Sequence, residues 1–231
     1  MIELYTVKLS ERMESSLFDR LLSEVSEKKQ ARIQRFINWE DAQRTLIGDI
    51  LARTVICNRM KIKNHEISFV QNEYGKPFLK NSERFHFNIS HSGEWVICAT
   101  DTSVIGTDVE FIKPIDLGIA ERFFSEEEYN DLLDKNGAER LQYFYDLWTL
   151  KESYIKAEGK GLSIPLDSFT IKANNGSIKI KTGNRFRNCH FRQYDIDRDY
   201  KLSICATGGT EFGCVEVREV EEIGREFICR C

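Results

Sequence analysis

Two short segments of the chain occur twice, in the same order and at nearly the same separation. Residues 44–52 (RTLIGDILA) resemble residues 148–157 (WTLKESYIKA), and residues 95–100 (WVICAT) return as residues 202–207 (LSICAT). Each copy couples a helix-like segment to an apolar, β-branched one. A repeat of this kind points to two similar halves, because each half has the same pattern to bury. The expected class is α/β (α+β), with the halves at residues 1–102 and 103–207. Residues 208–231 form a tail that alternates charged and apolar residues and receives no assignment.

The chain of 231 residues, 41% hydrophobic and 30% charged, is long enough for one large domain or two small ones. A net charge of −4 supplies no field for nucleic acid. No apolar run is long enough to span a bilayer, and the first residues lack the layout of a secretion signal. Seven cysteines are scattered without a CxxC pair, which argues against structural zinc and for a reducing, cytoplasmic setting.

Periodicity predicts a strand at residues 2–9 and helices over 16–35, about 39–60 and about 137–158. Shorter helices are expected near IDLGIAERFF and SEEEYNDLLDK, the latter with a capping box from Ser125 to Glu128. Strands are expected at ISFVQN, FHFNIS, EWVICAT, IGTDVEF, SFTIKA, SIKIKT, CHFRQYDI and KLSICAT.

Asp108 and Glu110 stand two apart in IGTDVEF, so they share one face of a strand built for burial. A solvent-facing strand with Val109 inward is one reading. The other is a cation between the two acids. Glu152 favours the cation: it falls in the i, i+4, i+7 stripe of Trp148 and Ile155, beside Lys151 and Lys156. Three carboxylates make an oxygen-rich site suited to Mg²⁺, with Mn²⁺ also possible. A surface pair between Glu152 and Lys156 is the plainer alternative. Three further stretches suit a phosphorylated ligand: Lys28, Lys29, Arg32 and Arg35 at helical spacing, the turn Gly75-Lys76-Pro77, and the strand end carrying Ser90 and His91. Each has a bland counterpart as a solvated face or plain loop.

Taken in order, GKP, FNISHSG, GTDVE and WTLKESYIKAEGKGL resemble the Sfp-type 4′-phosphopantetheinyl transferases, including the activators of surfactin and gramicidin synthetases. The likeness runs over residues 1–207. It implies two pseudo-twofold-related halves with the active site in their cleft. It implies coenzyme A as co-substrate, apo peptidyl and acyl carrier proteins as acceptors, 3′,5′-ADP as by-product, and a monomer. By position, Asp108, Glu110 and Glu152 match metal ligands. Lys29, Arg32 and Thr45 match the residues at the 3′-phosphate and adenosine end of coenzyme A. Arg32 replaces an expected lysine. Gly75, Lys76, Pro77, Ser90 and His91 match those near the adenine and pyrophosphate, and Lys151 and Lys156 the phosphate-side lysines. Glu152 is the expected base and Lys156 the proton donor to the leaving phosphate. Ile115, Leu117 and Ile119 offer a small apolar patch for a carrier helix. The alternatives are a non-catalytic module binding coenzyme A or carriers, and another Mg²⁺-dependent phosphotransferase. The chain has no Walker A motif for the latter.

Overall fold

A computed structural model of the chain describes residues 1–174, 177–209 and 211–229. The first half runs β1 (Ile2–Lys8), α1 (Ser15–Ser23), α2 (Glu27–Ile33), α3 (Trp39–Met60), β2 (Phe69–Gln71), β3 (Pro77–Leu79), β4 (His86–Ser92), β5 (Trp95–Asp101). The second runs β6 (Ile105–Phe111), α4 (Gly118–Phe123), α5 (Glu126–Leu133), α6 (Gly137–Glu158), β7 (Thr170–Asn174), β8 (Ser177–Lys181), β9 (His190–Tyr194), β10 (Tyr200–Ala206). β11 (Phe212–Arg218) and α7 (Val220–Ile228) follow.

The repeat read in the sequence is a repeat of topology. In the first sheet β1, β5 and β4 are neighbours in that order, and in the second β6, β10 and β9, all antiparallel. A small hairpin lies between the long helix and these strands in each half, β2–β3 and β7–β8. Ile97 and Ala99 of the first copy meet Ile204 and Ala206 of the second in one apolar cluster between the sheets. Cys98 and Cys205 alternate to the opposite faces, where each packs in the helix-side core of its own half. Both faces of β5 are therefore covered, which explains why it shows no alternating polar pattern; β10 carries Lys201 and Ser203 between its apolar residues.

The two sheets approach each other edge to edge along β4 and β6. Side chains make this seam: Asn88 Oδ1, Ser90 Oγ and Ser92 Oγ accept the N–H groups of Thr107, Val109 and Phe111 at 2.9, 3.2 and 3.1 Å. One strand's polar side chains thus satisfy three backbone donors of the other. Gly106 allows β6 to lie directly on α6, since a Cβ there would collide with Ser153 O and Ala157 N.

One expectation changes, and the tail, which had received no assignment, gains one. The helix expected at 16–35 is two helices, α1 and α2. Val25 turns into the core at the break, and its carbonyl accepts from Gln30 Nε2 at 2.8 Å. The tail is structured: β11 pairs in parallel with β1, and Val220, Ile223 and Phe227 of α7 are buried in the first half's core. Residues 210, 230 and 231 of that tail lie outside the described residues. Among the described residues no helix is long and apolar enough to cross a membrane.

Candidate active site

β6 alternation turns Asp108 and Glu110 toward one side of the seam, where the last turns of α6 bring Glu152 and Lys156. A cavity of about 370 Å³ opens there, lined by Lys29, Arg32, Thr45, Ser90, His91, Asp108, Glu110, Glu152 and Lys156, among others. A second cavity, also about 370 Å³, shares Lys29, Arg32, Asp49 and Ile89 with it and continues between Lys28, Arg53, Phe69, Pro77 and Phe87. Together they form one cleft, polar at the seam and more apolar at its far end. A cavity of about 410 Å³ beside α1 and the start of α3 stands apart from this chemistry, with Arg12 as its cation and Asp19 as its acid.

The electrostatics at the seam are tightly drawn. Asp108 is almost fully buried; its Oδ1 accepts from Lys156 Nζ at 2.5 Å and Ser90 Oγ at 3.0 Å. Lys156 also donates to Ser90 Oγ at 3.0 Å. Asp108 Oδ2 is buried and has no hydrogen-bond partner. Desolvation raises the pKa of Asp108 against the pull of Lys156. Glu110 accepts from Ser92 Oγ at 2.8 Å, and burial followed by the charge of Asp108 raises its pKa. Glu152 is pushed up to about 7 by burial and then by Asp108. His91 is exposed and lines the cavity. Desolvation, then Arg44 and Lys156, holds its pKa below the ordinary imidazole value. At the other end, Asp49 pairs with Lys29 at 3.2 Å and with Arg53, while Arg32 makes no ion pair among the described residues.

The seam cavity gathers nine of the residues singled out in the sequence, and Lys28 and Pro77 line the far end of the cleft. Others stand elsewhere, Arg35 exposed and outside both linings. Lys151 is fully buried: its Nζ pairs with Glu128 at 2.7 Å and donates to the carbonyls of Leu166 and Phe169. Its neighbour Glu152 faces the cleft, and one residue along a helix turns the side chain well away. Lys151 is therefore not a phosphate-side lysine. The Nζ of Lys76 is bound to three backbone carbonyls and lines neither cavity. Gly75, with φ +86°, makes the turn of the β2–β3 hairpin and also lies outside both linings. Ile115, Leu117 and Ile119 are half-buried against the core of α4–α6 rather than free-standing. The sequence reading missed Ser92, Asn88 and Asp49. Ser92 continues the alternation of Asn88 and Ser90, a visible signal that became meaningful only when β6 was placed beside β4.

The family model for the N-terminal part of 4′-phosphopantetheinyl transferases matches residues 12–103, and that of the 4′-phosphopantetheinyl transferase superfamily matches residues 104–205. The 4′-phosphopantetheinyl transferase ffp of Bacillus subtilis is 46% identical, over 89% of this chain and 92% of its own. The 4′-phosphopantetheinyl transferase gsp of Aneurinibacillus migulanus is 42% identical, over 89% and 86%. Among solved structures, a holo-(acyl-carrier-protein) synthase from Bacillus anthracis is 18% identical, with a TM-score of 0.40 over 45% of this chain and 93% of that one. On the strength of relatives matched over most of their length, the chain belongs to the 4′-phosphopantetheinyl transferase superfamily and is a transferase of the Sfp type.

Proposed function

We propose that the protein transfers the 4′-phosphopantetheine group of coenzyme A to a serine of apo peptidyl and acyl carrier proteins, releasing 3′,5′-ADP. The carriers are those of nonribosomal peptide and polyketide synthesis. The observation that carries this reading is the make-up of one cavity, in which Asp108, Glu110 and Glu152 share a wall-to-wall space with Lys29, Arg32, His91 and Lys156. Acids and cations mixed in this way suit a polyanionic ligand that arrives with a divalent cation.

The residues fit Mg²⁺, and equally Mn²⁺. The donor set is all oxygen, and the buried, unpartnered Oδ2 of Asp108 is an atom that folding leaves without compensation. Asp108, Glu110 and Glu152 would hold the ion. Among the described residues no three such groups form a ready cage. Mg²⁺ does not require one, since it commonly takes one or two carboxylates and completes its shell with water and phosphate. When bound, it would supply positive charge to the pyrophosphate oxygens.

The chain's own residues divide the remaining work. Lys29, Arg32 and Thr45 bind the 3′-phosphate end of coenzyme A and His91 the pyrophosphate, while Ser90, whose O–H goes to Asp108, holds the seam together. The carrier serine Oγ forms a bond to the β-phosphorus, and the bridging P–O bond to the adenosine side breaks. Glu152 takes the serine proton. Lys156 faces the departing phosphate and supplies its charge or proton. Both halves of the cleft come from one chain, so the enzyme works as a monomer, and we place it in the cytoplasm. Incubation with coenzyme A, Mg²⁺ and a panel of apo carriers, read by intact mass, tests the reading. It stands on the gain of one phosphopantetheine by any carrier and falls if none is modified.

A further inference from the structure

We propose that Lys76 is a positioning residue: it serves the reaction by clamping the end of α6 from the other half of the molecule, and its ammonium is not offered to coenzyme A. The proposal rests on the reading of the cleft as the transfer site.

Lys76 Nζ donates to Lys156 O at 2.6 Å, Ala157 O at 3.1 Å and Ile105 O at 3.1 Å. An ammonium has three protons, and all three are used, which leaves none for a phosphate. Two of the acceptors belong to the last turn of α6, where carbonyls lack partners within the helix and the helix dipole favours a cation. The third is the first residue of β6. One side chain from the first half therefore ties the helix of Glu152 and Lys156 to the strand of Asp108 and Glu110. Lys156 is gripped twice: its carbonyl by Lys76, its ammonium by Asp108.

The rest of the turn is shaped for the same contact. Asn72 Nδ2 donates to Gly159 O at 2.6 Å, while its Oδ1 accepts the N–H groups of Tyr74 and Lys76 at 3.1 and 2.9 Å. Gly159 has φ +76°, and a Cβ there would lie 3.0 Å from Lys76 Cδ and 3.2 Å from Asn72 Nδ2. The GKP turn and the KAEGKG helix end, two segments far apart in sequence, are thus the two sides of one junction. Burial lowers the Lys76 pKa to about 8, as expected for a cation withdrawn from water.

Steady-state kinetics of Lys76→Met and Asn72→Ala test this, with the wild type alongside to report separately on the reading of the cleft. Lys76→Met keeps most of the stem and removes the ammonium. Its kcat should fall about 10–100-fold while KM for coenzyme A stays within about threefold. Asn72→Ala, which has no place in either cavity lining, should show the same split at smaller size and carries the test if Lys76→Met does not fold. The proposal is overturned if KM for coenzyme A rises tenfold or more with kcat kept, or if neither parameter moves.

Discussion

Asp108 shows how much one buried carboxylate has to reconcile. Its Oδ1 is shared by Lys156 and Ser90, and its Oδ2 is left over. Asp108→Ala should lower transfer by roughly 10²-fold or more, measured as holo carrier formed per minute, because it strips the seam of its central acid. It should not stabilise the metal-free protein, since it also leaves Lys156 and Ser90 without their acceptor. The group relieved by removal is Glu152. Its folded pKa of about 7 lies above the ordinary 4.5, so folding favours its neutral form. The stability this contributes is full below about pH 4.5 and is lost as pH rises through about 7. In chelator, the thermal midpoint should therefore fall between about pH 5 and 8, and Glu152→Gln should flatten that fall by on the order of 1 kcal/mol, or about 2–4 °C. A slope unchanged in Glu152→Gln would sink this assignment.

Among the elements, α6 is the one on which the site depends. Its bounds were legible in the sequence from apolar spacing and the terminal Gly159, as those of α3 were from the same spacing. Its orientation was not. Lys151 reads as a phosphate-side lysine beside the expected base, yet it is buried against Glu128, which also caps α5 through Ser125 N and holds Ile171 N. Nothing in the local sequence says that α5 and β7 will close over it. Lys151→Met should break this pair, leave the Glu128 carboxylate buried alone and destabilise the fold by about 3–5 kcal/mol in urea unfolding. A destabilisation under about 1 kcal/mol would show that the pair is dispensable. The split of α1 from α2 was illegible for a related reason: Val25 fits the helical stripe and is buried either way.

For the whole molecule, the repeat in the sequence anticipated the two sheets and their order, because the same residues face the same layers in both halves. The tail gave no such signal. Its alternation of charged and apolar residues acquires meaning only against the free edge of β1, and α7 only against α1 and α3. Removing residues 208–231 should expose that edge and uncover the core that Val220, Ile223 and Phe227 complete with Leu21 and Leu22, at about 1.5–3 kcal/mol for each fully buried side chain lost. That sum is comparable with the whole stability of a domain, so the truncated chain should aggregate or lose its cooperative transition by calorimetry. A truncated chain that melts at the full-length midpoint would contradict the role given to the tail. The site, by contrast, depends on both halves at once, and its chemistry is best separated from its binding at Glu152. The deciding measurement is single-turnover transfer to an apo carrier by Glu152→Gln at saturating Mg²⁺, with coenzyme A affinity measured in parallel. The rate should fall on the order of 10²–10⁴-fold, while affinity falls less than about tenfold. A wild-type rate from Glu152→Gln would contradict the account.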